Sequence, residues 1–437
     1  MNKEIIFCLD EQDFTKKNDG ISYSTKLAGL SIIKRALLSY QFCGGINAIL
    51  IVPNIIIDLV KEELKDNRLK LNIRYFDPKS VEPIIKSIEN DLIFLNEKGI
   101  FENKLMNELI NKETSNYISS VSVQTKFRDI QGNDAKIQTG FYLIPKNLIK
   151  QYKSDNFSKK YFIDWINENH LENYNFGERF YLDIKSKTSK KLGEKGLFKF
   201  LTKSTDPLIS KTFNRPISLF FTRFLMHTPI TPNMMTTVTL LISLLSCYVV
   251  LLDGYFYAAL GGFLYHMASV IDGCDGELAR LKFQFSKLGE WLDGFVDDFK
   301  NALFGVAIGI RSYFEFKIQY PKLAEIYFIL SCVYGGLYFI SKLIQNYQIL
   351  KSEGSKDILE FKYYFEEEQR NKEINFFSKV VAFFRNLARS DFIAFVAMFF
   401  GFFNIFYIGF WILLGFCIGM FILVIAQTTL NNKKVIN

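Results

Sequence analysis

The stretch DGCDGELARLKFQFSKLGEWLDGFVDD, residues 272 to 298, places aspartates inside two otherwise apolar segments that meet at a short polar turn. Asp272 and Asp275 lie near the end of the first segment, and Asp293 and Asp297 lie near the start of the second. Because residues three or four positions apart share one face of a helix, each pair points to one side. The stretch therefore predicts two facing helices that present four carboxylates to one point.

Four carboxylates in a membrane segment need compensating positive charge. One charged side chain in the bilayer core costs about 2.5–3.5 kcal/mol on insertion scales. Carboxylate oxygens suit hard ions such as Mg²⁺, Mn²⁺ or Ca²⁺, and two divalent ions would neutralise four aspartates. A paired metal site of this kind is a common device for phosphoryl transfer. We therefore predict a two-metal centre within residues 272–297.

The residues between the aspartates suit a bulky phosphorylated ligand. Gly276, Ala279 and Gly289 leave room between helices, and Arg280 offers a fork of donors to phosphate oxygens. Taken singly, each small residue is more often a packing residue of a membrane helix. We interpret three neighbouring acids, Glu277, Glu290 and Asp298, as flanking charges. We interpret Cys274 and His266 as packing residues.

Six segments of the C-terminal half approach the length of about 20 apolar residues that crosses a bilayer. They are 234–252, 255–280, 289–311, 323–345, 391–407 and 409–428. An even number of spans puts both ends on one side, and the distribution of lysine and arginine places that side in the cytoplasm. Arg311, Lys317 and Lys322 fall in a presumed outside loop and count against this topology.

The N-terminal half alternates short apolar runs with helical patterns. EIIFCL (4–9), NAILIVP (47–53) and NDLIFLN (90–96) are typical of strands, and KLAGLSIIKRALLSYQFCG (26–44) is typical of a helix. Such alternation favours a parallel sheet covered by helices. The predicted fold class is an α/β domain followed by an all-α transmembrane domain of six helices.

Three regions follow from these patterns. Residues 1–190 form the α/β domain, which we expect in the cytoplasm because no secretory signal precedes it. Residues 191–233 combine a lysine-rich link with an amphipathic helix that lies on the membrane. Residues 234–430 form the six-span membrane domain, and a stretch at 363–381 is expected to be a cytoplasmic loop or surface helix.

The composition excludes several other kinds of site. Of 437 residues only three are His and six are Cys, and their spacing fits neither a zinc site nor a His-based triad. The cysteines are expected to be reduced. The formal net charge of +8 favours membrane topology and anionic-lipid contact over nucleic-acid binding.

The spaced pattern D-x2-D-G-x2-A-R-x8-G-x3-D-x3-D, which begins at Asp272 and ends at Asp297, resembles the signature of the CDP-alcohol phosphotransferase family without gap or substitution. The resemblance implies a six-span enzyme that moves a phosphoalcohol group from a CDP-alcohol to an acceptor hydroxyl and releases CMP. It implies metal ligation, by Mg²⁺ or Mn²⁺ as two ions, at Asp272, Asp275, Asp293 and Asp297, with Asp297 also the general base. It further implies a homodimer, and a CDP-binding set of Gly276, Ala279, Arg280 and Gly289.

The N-terminal half resembles the Rossmann-like nucleotidyltransferase domain of the inositol-phosphate cytidylyltransferase and di-myo-inositol-phosphate-phosphate synthase type of protein. The likeness rests on residues 27–53 and on the segment 204–233 that leads into the predicted membrane domain. The sequence departs from that pattern in two places. The first strand is followed by a single glycine, Gly20, and Asn96 and Glu97 stand where an Asp would hold a metal, which leaves Asp183 as a ligand. We therefore expect this domain to be degenerate.

The acceptor is the least determined part of the reaction. The domain arrangement favours a polyol phosphate such as inositol phosphate, and the donor is left open between CDP-diacylglycerol and CDP-inositol. Lys342 and Arg389 are candidates for binding the acceptor phosphate, although both also fit interface charges that extend to water. A cation transporter or metal-handling membrane protein is the alternative function for the same acids, and a regulatory or dimer-forming module is the alternative for the first domain.

Overall fold

The computed structural model describes residues 3–14, 21–124, 136–154, 156–202, 209–351 and 390–436. The chain divides into two compact units. The first holds Met1–Lys203 with Met226–Thr228 and Arg280–Gln284, and the second holds Ser204–Leu225, Pro229–Ala279 and Phe285–Asn437. Residues 363–381, predicted as a cytoplasmic loop or surface helix, lie outside the described residues.

The first unit is built on a seven-stranded mixed sheet with strand order β10-β8-β9-β6-β1-β4-β5. Strands β6, β1, β4 and β5 run parallel, and β9 is antiparallel to both β6 and β8. The strands are β1 (Glu4–Cys8), β2 (Lys26–Leu27), β3 (Leu30–Ser31), β4 (Asn47–Ile51), β5 (Asn72–Phe76), β6 (Leu92–Leu95), β7 (Gly99–Phe101), β8 (Ile118–Gln124), β9 (Lys136–Ile144), β10 (Leu171–Glu178) and β11 (Tyr181–Asp183).

Both faces of this sheet are buried, as expected where helices cover a parallel sheet. Ile5 and Phe7 of β1 belong to one apolar cluster, and Ile6 and Cys8 belong to a second. The helices are α1 (Glu11–Phe14), α2 (Ile32–Phe42), α3 (Ile57–Leu64), α4 (Val81–Ser87), α5 (Asn103–Asn111), α6 (Lys146–Ile149), α7 (Lys159–Glu168) and α8 (Lys187–Lys199). The predicted α/β class of the N-terminal half is confirmed, but the predicted parallel sheet is mixed, because β9 runs antiparallel to both of its neighbours.

The predicted helix over 26–44 is shorter in the structure. It begins at Ile32, because Ala28 and Gly29 take positive φ values of 45° and 81° and turn the chain between β2 and β3. Positive φ at both central residues is the geometry of a tight hairpin turn. The helical periodicity did not reveal this two-residue break.

All regular secondary structure in the described part of the second unit is helical. A π-helical turn (Ser210–Asn214) leads into α9 (Arg215–Leu225), which lies within the predicted interfacial region. The remaining helices are α10 (Pro232–Leu251), α11 (Tyr255–Lys282), α12 (Lys287–Phe316), α13 (Pro321–Lys351), α14 (Ser390–Phe402) and α15 (Phe406–Ile436). A helix therefore stands at each predicted membrane segment.

Three of these helices are long and apolar enough, among the described residues, to cross a membrane. Their spanning parts are Pro232–Leu251, Pro321–Gln345 and Phe406–Ile425. The other three helices do not meet this condition: α11 and α12 carry the aspartates and other charged residues, and α14 is short, with 13 residues. Six crossings, and their orientation, therefore stay predictions.

Arg311, which counted against the predicted topology, has a structural role that explains its position. It is 7% exposed, and its guanidinium donates to the carbonyls of Val250 at 2.8 Å, Leu252 at 2.7 Å and Gly254 at 3.1 Å, and to Asn404 Oδ1 at 3.0 Å. Carbonyls at the end of a helix have no partner within the helix. Arg311 donates hydrogen bonds to such carbonyls at the end of α10. Its guanidinium is therefore buried between helices and is not in an exposed loop.

Candidate functional site

The helices α11 and α12 bring the four predicted aspartates together, with a lysine among them. Lys300 Nζ lies 3.0 Å from Asp272 Oδ1 and also contacts Asp297 Oδ1. Its side chain is only 3% exposed. Lys300 is thus a buried cation that bridges one carboxylate of each helix.

The other two aspartates lie against each other. The side chains of Asp275 and Asp293 are within hydrogen-bonding reach. Asp275 Oδ2 also accepts a hydrogen bond of 2.7 Å from Thr236 Oγ1 of α10, whereas the buried Asp293 Oδ1 accepts none. Two carboxylates in contact, one with an unsatisfied oxygen, need a cation or a proton between them.

This donor set fits a hard divalent ion. All four groups are carboxylates, which suit Mg²⁺ or Mn²⁺, and the free oxygen of Asp293 is placed to ligate. In the described part of the chain, however, no three acidic, histidine or cysteine side chains form a ready metal-binding group. The ammonium of Lys300 occupies the space between Asp272 and Asp297.

The residues predicted to hold the CDP group fall in two units. Gly276, Ala279 and Gly289 belong to the second unit, and Arg280 belongs to the first, where it donates to the Leu201 carbonyl at 3.3 Å. Gly289 lies in the first turn of α12, where a Cβ would stand 2.7 Å from Asn233 Oδ1. A side chain larger than hydrogen is therefore excluded at Gly289 without a shift of Asn233.

The neighbours of the aspartates divide differently than predicted. Glu290 is exposed, as expected for a flanking charge, and Cys274 and His266 are buried, which confirms the packing interpretation. The interpretation of Glu277 as a flanking charge is wrong, because the residue is 0% exposed and accepts hydrogen bonds from Arg215, Ser218 and Thr222. The position of Glu277 directly after Gly276 in the sequence does not by itself predict that its side chain is buried.

Sequence reasoning also missed Lys300 and Thr236. Lys300 follows Asp297 by three positions, and a lysine in that register inside an apolar segment was a usable signal. Thr236 reaches Asp275 from α10, 39 positions earlier in the chain. No local pattern identifies that pairing.

The acceptor candidates have different outcomes. Lys342 of α13 pairs with Asp298 at 2.8 Å and lines a cavity of about 100 Å³. Asp298 is therefore an ion-pair partner rather than a simple flanking charge. Arg389 lies outside the described residues, and its neighbour Ser390 lines the same cavity. The walls of the cavity are polar at Asn301 and Lys342 and apolar along α15.

The first unit contains a separate pair of carboxylates. Glu97 lies within hydrogen-bonding reach of Asp183, so Asp183 does not stand alone as expected. Burial, followed by the hydrogen bond and charge of Asp183, raises the pKa of Glu97 to about 7. Lys185 Nζ lies 2.6 Å from Asp183 Oδ2 at the surface. Gly20 lies outside the described residues.

The sequence is similar to a known family over part of its length and to several known proteins. Residues 229–352 match the model of the CDP-alcohol phosphatidyltransferase family. A bifunctional IPC transferase and DIPP synthase from Aquifex aeolicus is 33% identical over 133 residues, which are 30% of this chain and 30% of that protein. An archaetidylinositol phosphate synthase from Pyrococcus horikoshii is 38% identical over 82 residues, which are 18% of this chain and 42% of that protein.

The match to a second bifunctional IPC transferase and DIPP synthase, from Archaeoglobus fulgidus, is of similar extent. It is 31% identical over 147 residues, 33% of this chain and 27% of that protein. The chain thus spans about a third of the length of the bifunctional relatives that it matches. The predicted resemblance to the CDP-alcohol phosphotransferase family is confirmed over residues 229–352.

Two solved structures are each similar to about 45% of the chain. The inositol-1-phosphate CTP transferase from T. maritima covers 45% of this chain and 96% of its own length, at 12% identity and a TM-score of 0.34. HddC from Yersinia pseudotuberculosis covers 45% and 99%, at 15% identity and a TM-score of 0.33. The fold of the first unit is defined here by its own seven-stranded sheet.

Proposed function

We propose that the second unit, in which residues 229–352 form a CDP-alcohol phosphatidyltransferase domain, transfers a phosphoalcohol group from a CDP-alcohol to an acceptor hydroxyl and releases CMP. The observation that carries the proposal is the meeting of four aspartates from α11 and α12, of which two contact a buried lysine and two lie against each other. Lys300 supplies one positive charge against these four carboxylates, and a bound divalent cation would offset the remaining negative charge.

Each residue has a defined part in the proposed reaction. The acceptor oxygen attacks the phosphorus that bears the alcohol group, the bond from that phosphorus to CMP breaks, and the hydroxyl proton passes to Asp297. Asp272, Asp275 and Asp293 are the proposed ligands of Mg²⁺ or Mn²⁺, and Asp297 adds a fourth. When bound, such ions neutralise charge on the diphosphate and on the leaving CMP.

The proposed acceptor is a polyol phosphate such as inositol phosphate. Two observations support it: Lys342 lines a cavity in the same unit, and two relatives are named IPC transferase and DIPP synthase. A lysine on a partly polar wall suits an anionic group. The donor is CDP-diacylglycerol or CDP-inositol. Arg389 stays a proposed second contact.

The wider assignment is also a proposal. We propose six membrane crossings, with the first unit and the aspartates facing the cytoplasm, contact with membrane lipid, and a homodimer. The first unit is proposed to be a degenerate nucleotidyltransferase-like domain. Turnover of CTP by the full chain, lost in Glu97→Gln, would overturn that last assignment.

The decisive experiment measures CMP release. Membranes containing the protein are supplied with CDP-diacylglycerol or CDP-inositol, inositol phosphate and Mg²⁺ or Mn²⁺. We expect release that requires both substrates and the metal, and that is lost in Asp297→Asn. Metal flux into liposomes without CMP release would instead support the cation transporter, and unchanged release in Asp297→Asn would overturn the proposed base.

A further inference from the structure

Glu277 of α11 is completely buried and is bonded by one helix alone among the contacts described. Its Oε1 accepts from Arg215 Nη1 at 2.9 Å and from Ser218 Oγ at 2.6 Å, and its Oε2 accepts from Thr222 Oγ1 at 2.7 Å. These donors follow one another at positions i, i+3 and i+7, so they form a polar face of α9. A buried carboxylate is tolerated when it is paired and hydrogen-bonded in this way.

The hydrogen bonds from α9 to Glu277 lie next to the turn of α11 that carries Asp272 and Asp275. Asp275, two residues before Glu277, is held from α10 by Thr236. Gly273 allows α9 to approach closely, because a Cβ at this position would lie 3.2 Å from Arg215 Nη1. This turn of α11 is therefore held by α10 through Asp275 and by α9 through Glu277.

The other side of α9 is aromatic and exposed. Phe220 and Phe224 are 56% and 63% exposed, and their ring centroids lie 5.1 Å apart. Aromatic residues on a short amphipathic helix suit the interface between lipid head groups and acyl chains. The position of α9 at the membrane surface is thus connected mechanically to the aspartates through Glu277.

We propose that Glu277 is a positioning residue, which ties the interfacial helix α9 to the turn of α11 and so fixes Asp272 and Asp275 at the geometry needed for metal binding. The proposal deepens the proposed function and rests on it. Glu277 itself touches neither the ion nor the substrate. Substitution of Glu277 should make the positions of Asp272 and Asp275 less well defined, although all four aspartates are still present in the protein.

The test compares Glu277→Gln with Glu290→Gln, the same substitution at an exposed acid of the next helix. Mn²⁺ binding to the full-length protein in detergent is measured by electron paramagnetic resonance, without substrate, and CMP release is measured in parallel. We expect Glu277→Gln to weaken Mn²⁺ binding by about tenfold, the scale of lost outer-shell support, and to lower kcat. Glu290→Gln should match wild type, and the KM for the acceptor should not change in either variant.

Two further variants separate positioning from general destabilisation. Arg311→Met removes carbonyl partners at the end of α10 and should lower the melting temperature without weakening Mn²⁺ binding. The exchange Arg215→Glu with Glu277→Arg should recover part of the Mn²⁺ affinity. The proposal is overturned if Arg311→Met weakens Mn²⁺ binding as much as Glu277→Gln does at equal loss of melting temperature.

The outcome for binding is independent of turnover. If the wild-type protein binds Mn²⁺ but turns over no CDP-alcohol, the proposed function fails, and weaker binding in Glu277→Gln still supports the positioning role. If wild type is active and Glu277→Gln retains both its affinity and its kcat, the positioning role fails and the proposed function stands.

Discussion

The two units each bring carboxylates together, but they balance the charge in different ways. In the first unit Glu97 lies against Asp183, and the lysine that pairs with Asp183, Lys185, is 76% exposed. In the second unit Lys300, which is 3% exposed, stands between Asp272 and Asp297. A partly exposed pair can relieve its repulsion by holding a proton. In the second unit Asp272 and Asp297, which are 23% and 32% exposed, are balanced instead by a buried cation that the chain itself supplies.

Removing one acid from each unit should give the largest contrast. We expect Asp293→Asn to lower CMP release by about two to three orders of magnitude, the scale of losing one electrostatic contact to the reacting group. Glu97→Gln in the first unit should leave CMP release unchanged. Initial rates in membranes with equal amounts of each variant make the comparison. Equal losses in both variants would show that the two acid groups serve one reaction.

Removing the internal cation should make the second unit depend on metal. We expect Lys300→Met to lower the melting temperature in chelator, because loss of one partner of a buried ion pair costs about 3–5 kcal/mol. Added Mn²⁺ should then raise the melting temperature more than it does in wild type. The matched control is Lys342→Met, since its pair with Asp298 is about one third exposed on both sides. An identical response of both variants to Mn²⁺ would remove Lys300 from the site.

A smaller effect should come from the lysine of the cavity. We expect Lys342→Met to raise the KM for a phosphorylated acceptor by about tenfold, the loss of one charge-assisted contact, with little change in kcat. An acceptor that lacks the phosphate should show no difference between the variant and wild type. Equal effects on both acceptors would instead indicate that Lys342 acts through its pair with Asp298.

The smallest effect concerns the pH response of the first unit. The pKa of Glu97 is raised to about 7, above its ordinary value of 4.5, by burial and by Asp183. The folded state therefore binds more protons than the unfolded state between these values, and the stability from this group is lost as pH rises through 7. Hydrogen exchange in β11 should speed up from pH 5 to pH 8, after correction for the intrinsic rate, and Glu97→Gln should flatten this trend. A trend that persists in Glu97→Gln would assign it to another group.

Local patterns in the sequence were enough for much of the fold and for the position of the site. Spacings of three and four residues placed Asp272 with Asp275 and Asp293 with Asp297, since helical geometry links near neighbours. Alternating apolar runs indicated the sheet of the first unit, because strands buried on both faces are continuously apolar. The break at Ala28 and Gly29 was missed, since periodicity averages over a two-residue turn.

Only the tertiary structure decided how the buried charges are paired. Glu97 meets Asp183, Thr236 reaches Asp275, and Arg215 reaches Glu277 across long stretches of chain. Arg311 likewise donates to the Val250 carbonyl of α10 and to Asn404 Oδ1, although its position in the sequence suggested a loop. The sequence by itself determined which residues are charged and which helix face they occupy. Which charge faces which depends on the packing of distant segments, because electrostatic pairing acts through space and leaves no period along the chain.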